Sequence, residues 1–264
     1  MNIIKREFRA NLKSLIIWSI IIGLLIVVGA AKFTAYAGNP EMLKILDSFP
    51  PAMLDAFNMR GFNLTTVSGF YGIMFVYFAL MGAIAAAMWG SDMISKEERD
   101  KTVEFSLVLP VSRSRVVTAK ALVALVDCIL LVLVTWGVSL YAVRQFNPDQ
   151  AFYSYLELQM RAMLVIELIF LALGLLLGCA MKQYKWSAST AVGIILTTYF
   201  LSVIAGMQER LDFLKWFTPF KYFDPLRLFQ SGRLDGTCLA LSAAIILACV
   251  VVAYWVYNRR DLYI

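Results

Sequence analysis

Apolar positions in this chain gather into long runs separated by short charged or proline-containing intervals. A helix needs about 20 apolar residues to cross a hydrocarbon core of about 30 Å. Six runs qualify, at residues 14–31, 64–90, 116–143, 158–181, 186–207 and 237–257. They predict an all-α, polytopic membrane protein with six transmembrane helices, and an even number of crossings puts both termini on one side. Ahead of the first run, Ile4, Phe8 and Leu12 recur at helical spacing, with Lys5, Arg6, Arg9 and Lys13 elsewhere on the wheel. That pattern predicts an amphipathic helix at the membrane interface over residues 1–13. A basic start, an apolar run and Ala35-Tyr36-Ala37 also mimic a signal peptide, but the run is span-length and Lys32 interrupts it before the supposed cleavage site.

Side assignment follows the basic residues in short flanks. Lys5, Arg6, Arg9 and Lys13, the cluster from Lys96 to Lys120, Lys182 and Lys185, and Arg259 and Arg260 all fall on the side of the termini. The opposite side spreads fewer basic residues over much longer loops, so the termini face the cytoplasm. Residues 32–63 hold Pro40, Pro50 and Pro51 with apolar residues between them, which fits short helices on the outer surface. Residues 208–236 are aromatic and twice broken, at Pro219 and Pro225, and predict short helices re-entering the outer leaflet.

Composition agrees with the run pattern. The chain is 61% hydrophobic and 16% charged, with a mean hydropathy of +0.73, against about 45–50% and about 25% for soluble domains. A net charge of +6 is then membrane-side bias, since no basic patch interleaved with aromatics stands apart from the spans. No nucleic-acid partner is expected. Cys128, Cys179, Cys238 and Cys249 lack the spacing of a metal knuckle or a disulfide framework. With no histidine, the chain has no Ser-His-Asp triad and no His-ligated zinc. It also has no G-x-x-x-x-G-K-(S/T) phosphate loop, so any ATP that drives it is hydrolysed by another polypeptide.

Inside the spans, Gly82 and neighbouring alanines, and the Gly174/Gly178 pair, supply small surfaces for close packing, more readily within the chain than between chains. Asp127 and Glu167 lie deep in the third and fourth runs. Acids at that depth face the bundle interior or a water-filled cavity. Either one lines a substrate path or binds a cation, or each bonds to a hydroxyl on a neighbouring helix, with Thr135, Ser139, Thr197 and Thr198 in range.

The longest charged interval, residues 91–115, carries Lys96, Glu97, Glu98, Arg99, Asp100, Lys101 and Glu104, then Arg113, Arg115 and Lys120. Val103, Phe105, Leu107, Val108 and Leu109 form an apolar patch within it, too short to span and too apolar for a passive linker. A surface helix that docks a soluble partner fits this composition, and so does a solvated loop. Lys101-Thr102-Val103-Glu104, Leu107, Pro110-Val111-Ser112-Arg113 and the later Lys120 resemble the coupling-helix region of permeases in type-2 ATP-binding-cassette (ABC) exporters. Lys101 stands where many relatives have Gly. Thr218-Pro219-Phe220-Lys221-Tyr222-Phe223-Asp224-Pro225 resembles the signature those permeases carry before their last span.

The resemblance implies a single permease domain over residues 1–264. It assigns an N-terminal elbow helix to 1–13, a cytoplasmic coupling region to 91–115 and an outer gate segment to 208–236. ATPase coupling would fall to Glu97, Glu98, Arg99, Asp100, Lys101, Thr102, Glu104, Phe105, Leu107, Leu109, Pro110, Arg113 and Arg115. The gate would use Pro219, Phe220, Lys221, Tyr222, Phe223, Asp224 and Pro225. Two separately encoded ATPase subunits would bind ATP and Mg, leaving this chain without a catalytic site, metal or cofactor of its own. A second permease copy or a related permease would complete the path in the lipid of a bacterial inner membrane, with spans one and five at the seam. There Ser187, Ala188, Ser189, Ala191 and Gly193 offer small side chains. A stand-alone secondary transporter or ion channel using Asp127 or Glu167 is a second reading, and a permease-like sensor or immunity subunit a third.

Overall fold

In a computed structural model the chain is a bundle of long helices. All residues are described except 1–2, 40, 42–43, 45–47, 51–52, 55–58, 60, 100–111, 182–183, 208 and 260–264. The long helices are α1 (Ile3–Phe33), α2 (Val67–Arg99), α3 (Arg113–Val143), α4 (Gln150–Ala180), α5 (Tyr184–Met207) and α8 (Gly236–Arg259). The short helices α6 (Pro219–Tyr222) and α7 (Pro225–Ser231) lie between α5 and α8, preceded by a 3-10 segment, Glu209–Phe217. Among the described residues, six helices are long and apolar enough to cross a membrane by length and composition, each matching one apolar run of the sequence.

Three helices reach further than the apolar runs that predict them. The amphipathic residues at the start are helical and continue without a break into the first span, so that α1 runs from Ile3 to Phe33. Helix α2 continues past Gly90 to Arg99 through Ser91, Asp92, Ser95 and Lys96. Helix α4 starts at Gln150 rather than near Leu158, because Asp149 caps it by accepting from the Phe152 amide at 2.9 Å, and Phe152, Tyr155 and Leu156 are buried. Asn147, in the left-handed region at φ 44°, turns the chain between α3 and that cap.

Helices α2 and α4 form the centre of the bundle. Most of the span window of each is buried, whereas α1, α5 and α8 present apolar side chains outward, among them Ile20, Leu24, Phe200, Leu247 and Val251. Two glycines explain why α2 and α4 come so close. A Cβ on Gly174 would run into the Ala87 carbonyl oxygen, and one on Gly90 would lie 2.5 Å from the Leu171 carbonyl oxygen. Backbones in such contact gain packing in lipid, where no hydrophobic drive brings helices together. The Gly174/Gly178 surface is therefore used within the chain, with Gly178 against Ser91.

One end of the bundle is where α2 finishes and α3 starts. Ile94, Val117, Leu175, Cys179, Ala253 and Tyr257 pack there into a satellite core, joining α2, α3, α4 and α8. Cross-helix hydrogen bonds fasten the same region. Ser95 and Ser187 share one between α2 and α5 at 3.0 Å, and Thr118 and Tyr254 share one between α3 and α8 at 2.7 Å. At the opposite end, Phe33 meets Phe70 and Phe146, tying α1, α2 and the turn after α3.

Candidate functional site

Of the residues expected to couple to an ATPase, Asp100, Lys101, Thr102, Glu104, Phe105, Leu107, Leu109 and Pro110 lie outside the described residues. Of Glu97, Glu98 and Arg99 the helical backbone is described, as the last turn of α2. Ser112, within the Pro-Val-Ser-Arg motif, is the N-cap of α3 and accepts from the Arg115 amide at 3.4 Å. Its role is thus to start the helix, and Arg113 and Arg115 occupy the first turn, with Arg115 exposed. The two helices that flank residues 100–111 in the sequence, of 33 and 31 residues, both run on into the packed bundle.

Just above this connection, Lys120 is 1% exposed, and its Nζ donates to the Met93 main-chain oxygen at 2.6 Å. The positive-inside pattern treats Lys120 as a flanking surface charge, but its side chain turns inward to α2. Spacing along a single helix gives no sign of this, because the acceptor is backbone on another span.

Asp127 and Glu167 are both fully buried, and neither pairs with the hydroxyls that the sequence offers. Thr135 donates to Leu131 O, Ser139 to Thr135 O, Thr197 to Gly193 O and Thr198 to Ile195 O, each on its own helix, and the Ser139 hydroxyl also meets that of Tyr71 on α2. The partner of Asp127 is instead Asn11 of α1, whose Nδ2 donates to Oδ2 at 2.5 Å, while Oδ1 accepts no hydrogen bond. Nearby, the Trp89 indole donates to Ser14 Oγ at 2.9 Å, a second tie from α1 into the centre. Among the described residues neither oxygen of Glu167 has a hydrogen-bond partner of ordinary geometry, and the Cys128 thiol is its polar neighbour. Gly82 makes room for this carboxyl, since a Cβ there would lie 2.5 Å from Oε1. Gln159, two turns away on α4, is likewise buried with both side-chain polar atoms unpartnered. Sequence reasoning missed Asn11 and Gln159. Asn11 sits in a charged lead-in and reads as surface, and Gln159 sits beside the acidic and basic residues that open the fourth run.

At the opposite end the Pro-Phe-Lys-Tyr-Phe-Asp-Pro segment forms two consecutive helix starts. Pro219 opens α6 and Pro225 opens α7, each within the first two helical positions, where a missing N–H costs nothing. Asp224 caps α7 by accepting from the amides of Leu226 at 3.0 Å and Arg227 at 3.3 Å, and its other oxygen pairs with Lys221 at 2.5 Å. Phe220, Tyr222 and Phe223 are buried. Phe220 stacks on Phe170 of α4 at 5.3 Å and meets Tyr199 of α5 edge-on at 5.8 Å. The Tyr222 hydroxyl donates to the Trp216 carbonyl, and burial pushes its phenol above the ordinary range, which keeps it a donor. Tyr155 of α4 reaches across to the Pro225 carbonyl at 2.9 Å. The segment thus re-enters the bundle and rests on Phe170, one helical turn from Glu167.

On α5, Ser187 and Ala191 face the bundle interior, whereas Ser189 and Gly193 face outward. Only part of the small-residue set expected at a seam is therefore on an outer surface. Among the described residues, no group of His, Cys, Asp and Glu is arranged to hold a metal ion.

Six long apolar helices, two of them the close-packed central pair α2 and α4, with polar groups buried inside the bundle, define a multi-pass membrane protein. A family profile described as ABC-2 family transporter protein matches residues 1–262, and the chain belongs to that family. It is therefore the membrane permease component of an ABC transporter, whose partner is an ABC ATPase. No curated protein matches the chain.

Proposed function

We propose that this chain is the permease subunit of an ABC exporter in a bacterial inner membrane, with both termini in the cytoplasm. Two permeases, identical or related, form the path, and two separately encoded ATPase subunits dock on residues 100–111. The observation that carries this reading is the pair of long helices, α2 and α3, whose ends frame that stretch and whose bodies enter the core. ATP-driven closure of the ATPases pushes on the segment from Thr102 to Leu109, and α2 and α3 carry the motion outward.

In this reading Phe105, Leu107 and Leu109 are the buried anchors of the docking surface. Glu97, Glu98, Arg99, Asp100, Lys101, Glu104, Arg113 and Arg115 are the rim charges that select the partner more than they add affinity. Phe220, wedged against Phe170 and Tyr199, is the part of the outer segment that must move for cargo to leave. The experiment is charge reversal at the docking surface. Glu104→Lys or Phe105→Asp leaves the protein in the membrane and abolishes ATP-driven transport, and unchanged transport in both variants refutes the assignment.

A further inference from the structure

An ammonium withdrawn from water into a membrane protein is costly and persists only where its surroundings hold it. Lys120 meets that condition through three separate features. Its Nζ sits 2.6 Å from the Met93 carbonyl oxygen, six residues before the end of α2. A carbonyl oxygen has two lone pairs, so the helical ladder takes one and the ammonium the other. The side chain is buried, beside Trp89, Gly90 and Met93 of α2 and Leu171 and Leu175 of α4, away from bulk water. At Gly90 the α2 backbone is in close contact with α4, so α2 cannot slide away from the tether.

We infer that Lys120 is a positioning residue that ties the inner ends of α2 and α3 together, so that the two stems of residues 100–111 move as one body. This rests on the permease reading above and deepens it. Two stems free to splay would absorb a push applied to the connection between them. Tied at Met93 and Lys120, they pass it on to the rest of the bundle.

The test uses the chain reconstituted in nanodiscs with the ATPase that copurifies with it. Spin labels at Lys96 and Leu122 report the inner ends of α2 and α3, and labels at Tyr141 and Phe213, both exposed, report the opposite end. Pulsed electron resonance is recorded without nucleotide and with ATP and vanadate. In the wild-type background the inner distance stays fixed while the outer distance shifts. In Lys120→Met the inner distance becomes nucleotide-dependent, and the ratio of shifted to unshifted outer distances with ATP and vanadate falls by about tenfold, the equilibrium equivalent of one charged hydrogen bond. Lys120→Arg, which keeps a donor, retains part of the shift.

A Met93→Cys, Lys120→Cys pair guards against misfolding of the methionine variant. Cross-linking it restores the outer shift that its reduced form lacks. A Lys120→Met protein indistinguishable from wild type, or a cross-linked pair that is inactive while its reduced form works, overturns the tether and leaves the permease reading intact. A wild-type complex in which no distance responds to nucleotide overturns both.

Discussion

Asn11 and Asp127, 116 positions apart in sequence, meet at 2.5 Å inside the bundle, amide to carboxylate. The contact draws the polar start of α1 against the middle of α3 and gives a buried acid its donor. Removing that donor leaves both Asp127 oxygens unpartnered, because Oδ1 already lacks a hydrogen bond. Asn11→Ala should therefore lower the detergent-solubilised protein's unfolding free energy by about 1–3 kcal/mol. Asp127→Asn, which can still pair with Asn11, should cost less, and a double-mutant cycle of Asn11→Ala with Asp127→Ala, each of which removes the pair, should give a coupling of about 0.5–3 kcal/mol. Additive effects in that cycle would show that the two side chains do not depend on each other.

The α2–α4 contact predicts which glycines are replaceable. Gly174→Ala forces a methyl group into the Ala87 carbonyl, a backbone atom that cannot swing aside. It should sharply reduce the folded fraction recovered from membranes. Gly193→Ala and Gly23→Ala, where no atom lies within 4 Å of the new methyl, should be recovered at wild-type levels by size-exclusion chromatography.

Between α6 and α7, Asp224 both caps α7 and pairs with Lys221. Asp224→Ala loses both interactions, and the cap alone accounts for about 1 kcal/mol. Asp224→Asn retains the cap and loses only the ion pair, so its melting temperature should fall between those of wild type and the alanine variant. Equal melting of the two variants would assign the whole effect to the ion pair.

Asp235, just ahead of α8, accepts from the Thr237 amide at 2.8 Å, and that hydrogen bond holds its carboxyl below the usual value of 3.8. A carboxyl whose folded pKa is depressed stabilises the fold above its unfolded pKa and loses that contribution as pH falls through the folded value. The start of α8 should therefore be unchanged from neutral pH down to the ordinary aspartate range and fray only below it. Amide exchange at Thr237 and Cys238 as a function of pH measures this, and fraying that begins near neutrality would contradict it.

The six crossings were legible in the sequence because run length alone decides them, and lipid leaves the backbone few alternatives to a helix. Helix ends were less so. Asp149 and Ser112 are ordinary caps, yet polar turns dilute the apolar signal on either side of Asp149, and α2 continues through residues that hydropathy reads as loop. The buried polar contacts were not legible, because each depends on which helices are neighbours. Lys120 reads as a flanking charge until α2 supplies its acceptor, and Asn11 reads as surface until α3 supplies Asp127. The Phe-Lys-Tyr-Phe-Asp motif was visible as a pattern, but its local work in capping, self-pairing and aromatic wedging required the positions of α4 and α5.

The central claim is that a separate motor grips residues 100–111 from inside the cell. The most direct measurement places a photo-cross-linking amino acid at Phe105 in living cells and identifies the adduct by mass spectrometry after illumination. A covalent product with an ABC ATPase subunit, lost when Glu104 is reversed to Lys, is the predicted result. Efficient cross-linking to lipid or extracytoplasmic protein, with no ATPase adduct, would contradict the account.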